Sequence, residues 1–140
     1  AQVVRVAVTG GYLYGGYQRS SPWFGILEIA FPADGGEPSA SWSCVERMVS
    51  ARANHTATYV SPRIAGERHP KGYLMLIGGN EDGQASNSIS LLDLDTMKWK
   101  EDGVDMNVMG PQPAPRNSHS ANLLRVRGLG DAILVAGGGN

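Results

Sequence analysis

The chain has 140 residues, enough for one ordinary domain with a core; it is 41% hydrophobic and 18% charged, with a formal net charge of −1. That balance offers no basic excess for nucleic acid, no apolar run of membrane-spanning length and no amino-terminal charged-then-apolar leader. Its 19 glycines and 8 prolines, with interspersed β-branched residues, interrupt every window that could form a helix of useful length, so many short strands joined by turns are expected.

The run 3–9 (VVRVAVT) alternates as a strand, with Val4, Val6 and Val8 on one face, and Gly10-Gly11 makes the turn after it. Tyr12-Leu13-Tyr14-Gly15-Gly16 follows, then the loop 17–22, then the apolar run 23–31 (WFGILEIAF). After a long turn at 32–41 comes Trp42, and soon afterwards the only cysteine, Cys44. A lone thiol makes no internal disulfide and favours a cytoplasmic or nuclear setting. Asn54-His55-Thr56 fits the glycosylation acceptor pattern and is the one feature on the side of secretion, although so loose a pattern often arises by chance.

Arg52-Ala53-Asn54-His55 opens an alternating strand at 55–60, and a loop at 61–72 leads to Tyr73-Leu74-Met75-Leu76-Ile77-Gly78-Gly79. A polar loop, Asn80 to Asn87, precedes Leu91-Leu92-Asp93-Leu94-Asp95-Thr96-Met97-Lys98-Trp99. After a second long loop at 101–115 the order restarts with Arg116-Asn117-Ser118-His119, a strand to Val126, and an apolar run ending in Gly137-Gly138. Gly79 and Gly138 are 59 positions apart, and 13 positions separate both Gly16 from Ile29 and Gly79 from Leu92, which pairs the first two units at a displacement of 63. The chain therefore repeats with a period near 60.

Arg-x-x-His, a strand, a strand ending in Gly-Gly, a polar loop, and a strand ending in Asp-x-Thr-x-x-Trp: in this order the chain resembles the kelch repeat along essentially its whole length. The resemblance implies an all-β fold of kelch-type β-propeller blades, each a four-stranded antiparallel sheet, with about two and a half blades present as a fragment or part of a larger ring. Residues 1–51 form a partial or irregular first blade, 52–115 a complete blade with its following loop, and 116–140 the first half of a third. The first unit lacks the Arg-x-x-His start. Within the family pattern Arg52, His55, Gly78, Gly79, Trp99, Arg116, His119, Gly137 and Gly138 take structural roles, as does Trp42. Glycine pairs permit close backbone approach, tryptophan packs one sheet on the next, and Arg and His bond backbone groups at sheet edges.

In an up-down-up-down sheet, alternate connections share a face. Kelch propellers commonly recognise partners there, so the resemblance places partner binding at Tyr17, Arg19, Asn80, Glu81, Asp82 and Gln84. A basic cluster of Arg63, Arg68, His69 and Lys71 on the loop 61–72 is the competing surface for an acidic peptide or phosphate, diluted by Glu67. The expected function is a non-catalytic protein-interaction scaffold with a protein partner, without nucleic acid, membrane, cofactor, metal or catalytic residues, and with self-association or further blades open. The alternatives are part of a copper radical oxidase resembling galactose oxidase, which needs a Tyr–Cys pair, a further Tyr and two His on one metal, or a structural subunit of a larger assembly. Gly137-Gly138-Gly139 is a strand end and no nucleotide loop, and Asn80-Glu81-Asp82-Gly83 lacks the alternating ligands of a calcium loop.

Overall fold

The computed structural model describes residues 2–13, 19–102 and 105–140, without the side chains at 44 and 45. The described strands are β1 (Gln2–Thr9), β2 (Trp23–Phe31), β3 (Ser39–Arg47), β4 (Thr56–Val60), β5 (Tyr73–Glu81), β6 (Gln84–Asp93), β7 (Lys98–Glu101), β8 (Ser120–Val126) and β9 (Gly130–Ala136). A single helical turn, α1 (Pro62–Ala65), opens on Pro62 within the loop 61–72. The strands form three antiparallel sheets in the orders β1-β2-β3, β4-β5-β6-β7 and β8-β9. The fold is all-β, as expected, but only the middle sheet has four strands.

β5 is apolar from Tyr73 to Ile77 because both faces of that stretch are covered. Leu74 and Leu76 face the first sheet and are buried, while Met75 and Ile77, on the opposite face by strand alternation, are half-buried towards the third. The core lies between the first two sheets: Phe24 and Met48 pack against Leu74, Leu76 and Leu92, with Trp99 beside them. Trp99 stands edge-on to Phe24, ring centroids 5.8 Å apart at 84°. Full burial of each such side chain contributes about 2 kcal/mol. On the first sheet, by contrast, Val4, Val6 and Val8 are exposed.

The glycine pairs hold consecutive sheets together. Gly11 N–H donates to the Arg52 carbonyl at 2.8 Å, and Gly79 N–H donates to the Arg116 carbonyl at 2.9 Å. The preceding residues, Gly10 and Gly78, have φ of 61° and 60°, and a Cβ there would fall 2.2 Å and 2.7 Å from those same two carbonyl oxygens. Only glycine satisfies both the backbone angle and the close approach.

This contact corrects the register expected for the first unit. The pair equivalent to Gly78-Gly79 is Gly10-Gly11, a displacement of 68 and not 63, because it ends the strand whose backbone reaches the next arginine's carbonyl. Gly15-Gly16 lies outside the described residues, and Tyr12 forms an isolated bridge to Ser20. Leu27, opposite Trp42, is accordingly the counterpart of Leu92, opposite Trp99, in place of Ile29.

Candidate functional site

The Arg-x-x-His start builds the ground beneath the loops. Arg52, 1% exposed, donates through Nη1 to the carbonyls of Gly78 (3.0 Å) and Ser88 (3.2 Å), and through Nη2 to the hydroxyls of Ser88 (2.9 Å) and Ser90 (2.7 Å). Glu81 completes the arrangement: its Oε1 accepts from Ser88 Oγ at 2.8 Å and lies 3.5 Å from Arg52 Nη2. Burial lowers the guanidinium's pKa from its usual value, opposed by Glu81 and Glu101. Arg116 repeats part of this pattern, donating to the Gly137 carbonyl at 3.2 Å.

Two residues beyond each arginine the backbone turns left-handed, at Asn54 (φ 51°) and Ser118 (φ 54°), and so delivers the histidines. His55 Nε2 pairs with Thr9 Oγ1 at 2.7 Å and His119 Nε2 with Thr56 Oγ1 at 3.1 Å, each across two sheets. Nδ1 of the His55 ring is buried without a hydrogen-bond partner among the described residues. Burial, then Arg52 and His119, pushes the His55 pKa down to about 4. Burial also lowers that of His119. With its pKa at about 4, the His55 ring is neutral at physiological pH.

Above this ground, the loops of the first two sheets are joined. Ser20 N–H donates to Asp82 Oδ1 (3.2 Å), Ser20 Oγ donates to the Asn80 carbonyl (2.6 Å), and Asp82 N–H returns a bond to Ser20 Oγ (3.3 Å). Asn80 also donates through Nδ2 to the Tyr12 hydroxyl (3.3 Å), as does Asn54 (3.2 Å), and accepts from Gly83 N–H (2.7 Å). Of the residues expected to bind a partner, Asn80, Asp82 and, through its backbone, Glu81 therefore belong to one connected loop surface, while the Glu81 carboxylate is turned to Arg52. Arg19, Asp82 and Gln84 are exposed, and Tyr17 lies outside the described residues.

Two members of the competing basic cluster, Arg63 and His69, are turned to separate acidic partners. Arg63 makes a two-pronged pair with Asp131 (2.9 and 3.2 Å), linking α1 to β9; the bond holds the Asp131 carboxyl below its usual range. His69 turns the other way, its Nδ1 3.2 Å from Asp93 Oδ2 and its ring against the Tyr73 hydroxyl. His69, Asp93 and Asp95 thereby bring ligand-type atoms within 4.8 Å of one another, a grouping the sequence reading missed. The carboxylates are occupied by the turn: Asp93 Oδ1 accepts from the N–H of Asp95 (2.9 Å) and Thr96 (3.3 Å), and Asp95 Oδ2 from that of Lys71 (3.1 Å). Burial alone would raise the Asp93 pKa; the turn N–H groups and His69 outweigh it and hold the carboxyl below its usual range. The Asp-x-Thr spacing was the available signal for this turn.

The fold thus defines an all-β protein of packed antiparallel sheets with a hydrogen-bonded loop surface; among the described residues, no helix is long and apolar enough to cross a membrane. No family model matches the chain. It is similar to acyl-CoA-binding domain-containing proteins 5 and 4 of Arabidopsis thaliana, each 37% identical over 71 residues, which is 49% of this chain and 10% and 9% of theirs. It is also similar to the Rab9 effector protein with kelch motifs of Xenopus laevis, 32% identical over 77 residues, 54% of this chain and 20% of that protein. The chain thus spans a fifth or less of the length of these curated relatives.

Proposed function

We propose that the sheets are kelch-type β-propeller blades, divided at residues 1–51, 52–115 and 116–140, and that the chain is a non-catalytic scaffold binding a protein partner through its joined loops. The observation that carries this reading is where the recurring residues are spent. The glycine pairs bond the Arg52 and Arg116 carbonyls and His55 bonds Thr9, tying one sheet to the next, while the two arginine side chains brace their own sheets, so recognition falls to the exposed side chains above them. The similarity to a protein with kelch motifs supports the same reading.

Arg19, Asp82 and Gln84 present charged and polar groups on a backbone already fixed by Ser20 and Asn80, and Tyr17 joins the proposed surface from its place in the sequence alone. Fixing the backbone before binding lowers the entropic cost of recognition. Asn80 and Glu81 hold the surface from below. The paired substitution Arg19→Glu and Gln84→Arg tests the reading by quantitative affinity capture beside a thermal melt. Loss of specifically captured protein with an unchanged melt is expected; an unchanged captured set would sink it.

A further inference from the structure

The chain has three histidines, and two of them, His55 and His119, are spent on bonds between sheets. His69 is not. It ends the loop that leads into β5, at the opposite end of the strands from Asn80 and Asp82. The register of the middle sheet sets Tyr73 opposite Asp93, so the start of β5 and the end of β6 bring His69 to the turn that joins β6 to β7. There Asp93 Oδ2 lies 3.2 Å from His69 Nδ1, and ligand-type atoms of His69, Asp93 and Asp95 all fall within 4.8 Å of one another. The Tyr73 hydroxyl stands beside the ring, 3.0 and 3.1 Å from its two nitrogens.

This grouping is short of positive charge. Asp93 is 5% exposed, its carboxyl is held below the usual range and so is ionised at neutral pH, and a second carboxylate lies next to it. Among the described residues, His69 is the only basic side chain paired with either carboxylate. Buried charges are ordinarily paired or bound to metal. The oxygens are also held in place. The turn takes Oδ1 of Asp93 and the Lys71 amide takes Oδ2 of Asp95, which leaves Asp93 Oδ2 facing His69 and Asp95 Oδ1 without a bond among the described residues. Bonds of this kind orient the carboxylates of metal sites from outside.

The spacing suits a small ion. Zinc bonds of about 2.0–2.2 Å to nitrogen and oxygen set tetrahedral ligand atoms about 3.4 Å apart. His69 and Asp93 stand at 3.2 Å already, and Asp95, within 4.8 Å, has to close by no more than about 1.4 Å.

We propose that His69, Asp93 and Asp95 bind a divalent transition-metal ion of the zinc type, which pins the loop 61–72 to the β6–β7 turn and leaves its fourth position to water. A nitrogen among the ligands selects such an ion over calcium, which takes oxygen. Binding displaces the proton between His69 Nδ1 and Asp93 Oδ2 to solvent. The site uses none of the loop surface, so it is independent of partner binding there.

Zinc chloride is the probe, titrated calorimetrically into the whole chain and into its His69→Gln and Asp95→Asn variants, with proton NMR of the histidine rings alongside. One equivalent bound in the micromolar range is expected, moving the ring resonances of His69 and not those of His55 or His119. Either variant should weaken binding by about tenfold or more. Where a variant melts lower than the parent without zinc, the ring resonances of the parent decide. No binding at about 0.1 mM zinc overturns the proposal, as do shifts at His55 or His119 in place of His69, or a His69→Gln chain that binds as the parent does. Calcium binding equal to that of zinc would mean an acidic turn alone and overturns it too.

Discussion

At Arg52 a charge is buried and almost completely bonded, so its replacement is costly even when charge is kept. A lysine ammonium cannot reach the Gly78 carbonyl, Ser88 and Ser90 together, and Arg52→Lys is expected to lose about 3 kcal/mol in urea denaturation. Backbone angle dominates at Gly78. Gly78→Ala forces a side chain at φ 60° to within 2.7 Å of the Arg116 carbonyl oxygen, and about 1–3 kcal/mol should be lost. Gly110→Ala, with φ 89° but no neighbour within 4 Å, should lose less; equal losses would show that the inter-sheet contact is unimportant. His55 sets a pH dependence. The unfolded ring takes its proton near 6.5 and the folded ring at about 4, so the unfolded state binds more protons between those values. Stability from this group is therefore lost as pH falls through that window, by up to about 3 kcal/mol. His55→Gln should flatten the slope between pH 7 and 4.5 in urea midpoints, and a slope equal to that of the parent would contradict the assignment.

Among the elements, Trp42 and Trp99 occupy the same strand position opposite Leu27 and Leu92, yet meet different surroundings. Trp99 closes the core against Phe24, whereas Trp42 is 49% exposed and meets Trp23 edge-on at 5.2 Å. Trp99→Ala is thus expected to cost about 3 kcal/mol by denaturation, and Trp42→Ala clearly less. The strands were legible where apolar runs are bounded by glycine and polar turns, as in β2 and the 73–77 part of β5; the Gln84–Asn87 half of β6 reads as a polar loop and is strand all the same. The register of the first unit was not, since two glycine pairs follow apolar residues within a few positions, and what distinguishes them is a hydrogen bond to a carbonyl some forty residues away. The same limit hid the site's details. Glu81 reads as a solvated turn residue until Arg52 is folded beneath it, and nothing local in Arg63 announces Asp131.

For the molecule as a whole, stability should be graded along the chain. The first two sheets share the buried core and several inter-sheet hydrogen bonds. The third is held to the second by the Arg116–Gly79 and Ser118–Asn54 backbone bonds, His119 with Thr56, and the exposed Arg63–Asp131 pair, while Leu123, Leu124, Val126 and Leu134 remain exposed. Repeating units of this kind gain stability from neighbour interfaces, so the third sheet, which contributes nothing to the buried core cluster shared by the first two, should open before them. Native-state hydrogen exchange on the intact chain tests this account most directly. The slowest amides are expected in β5 and β6, with Gly11 exchanging through the same opening as β2, and β8–β9 opening first. Protection in β8–β9 equal to that of β5 and β6, or an unprotected Gly79 amide, would contradict the repeat architecture on which every assignment above depends.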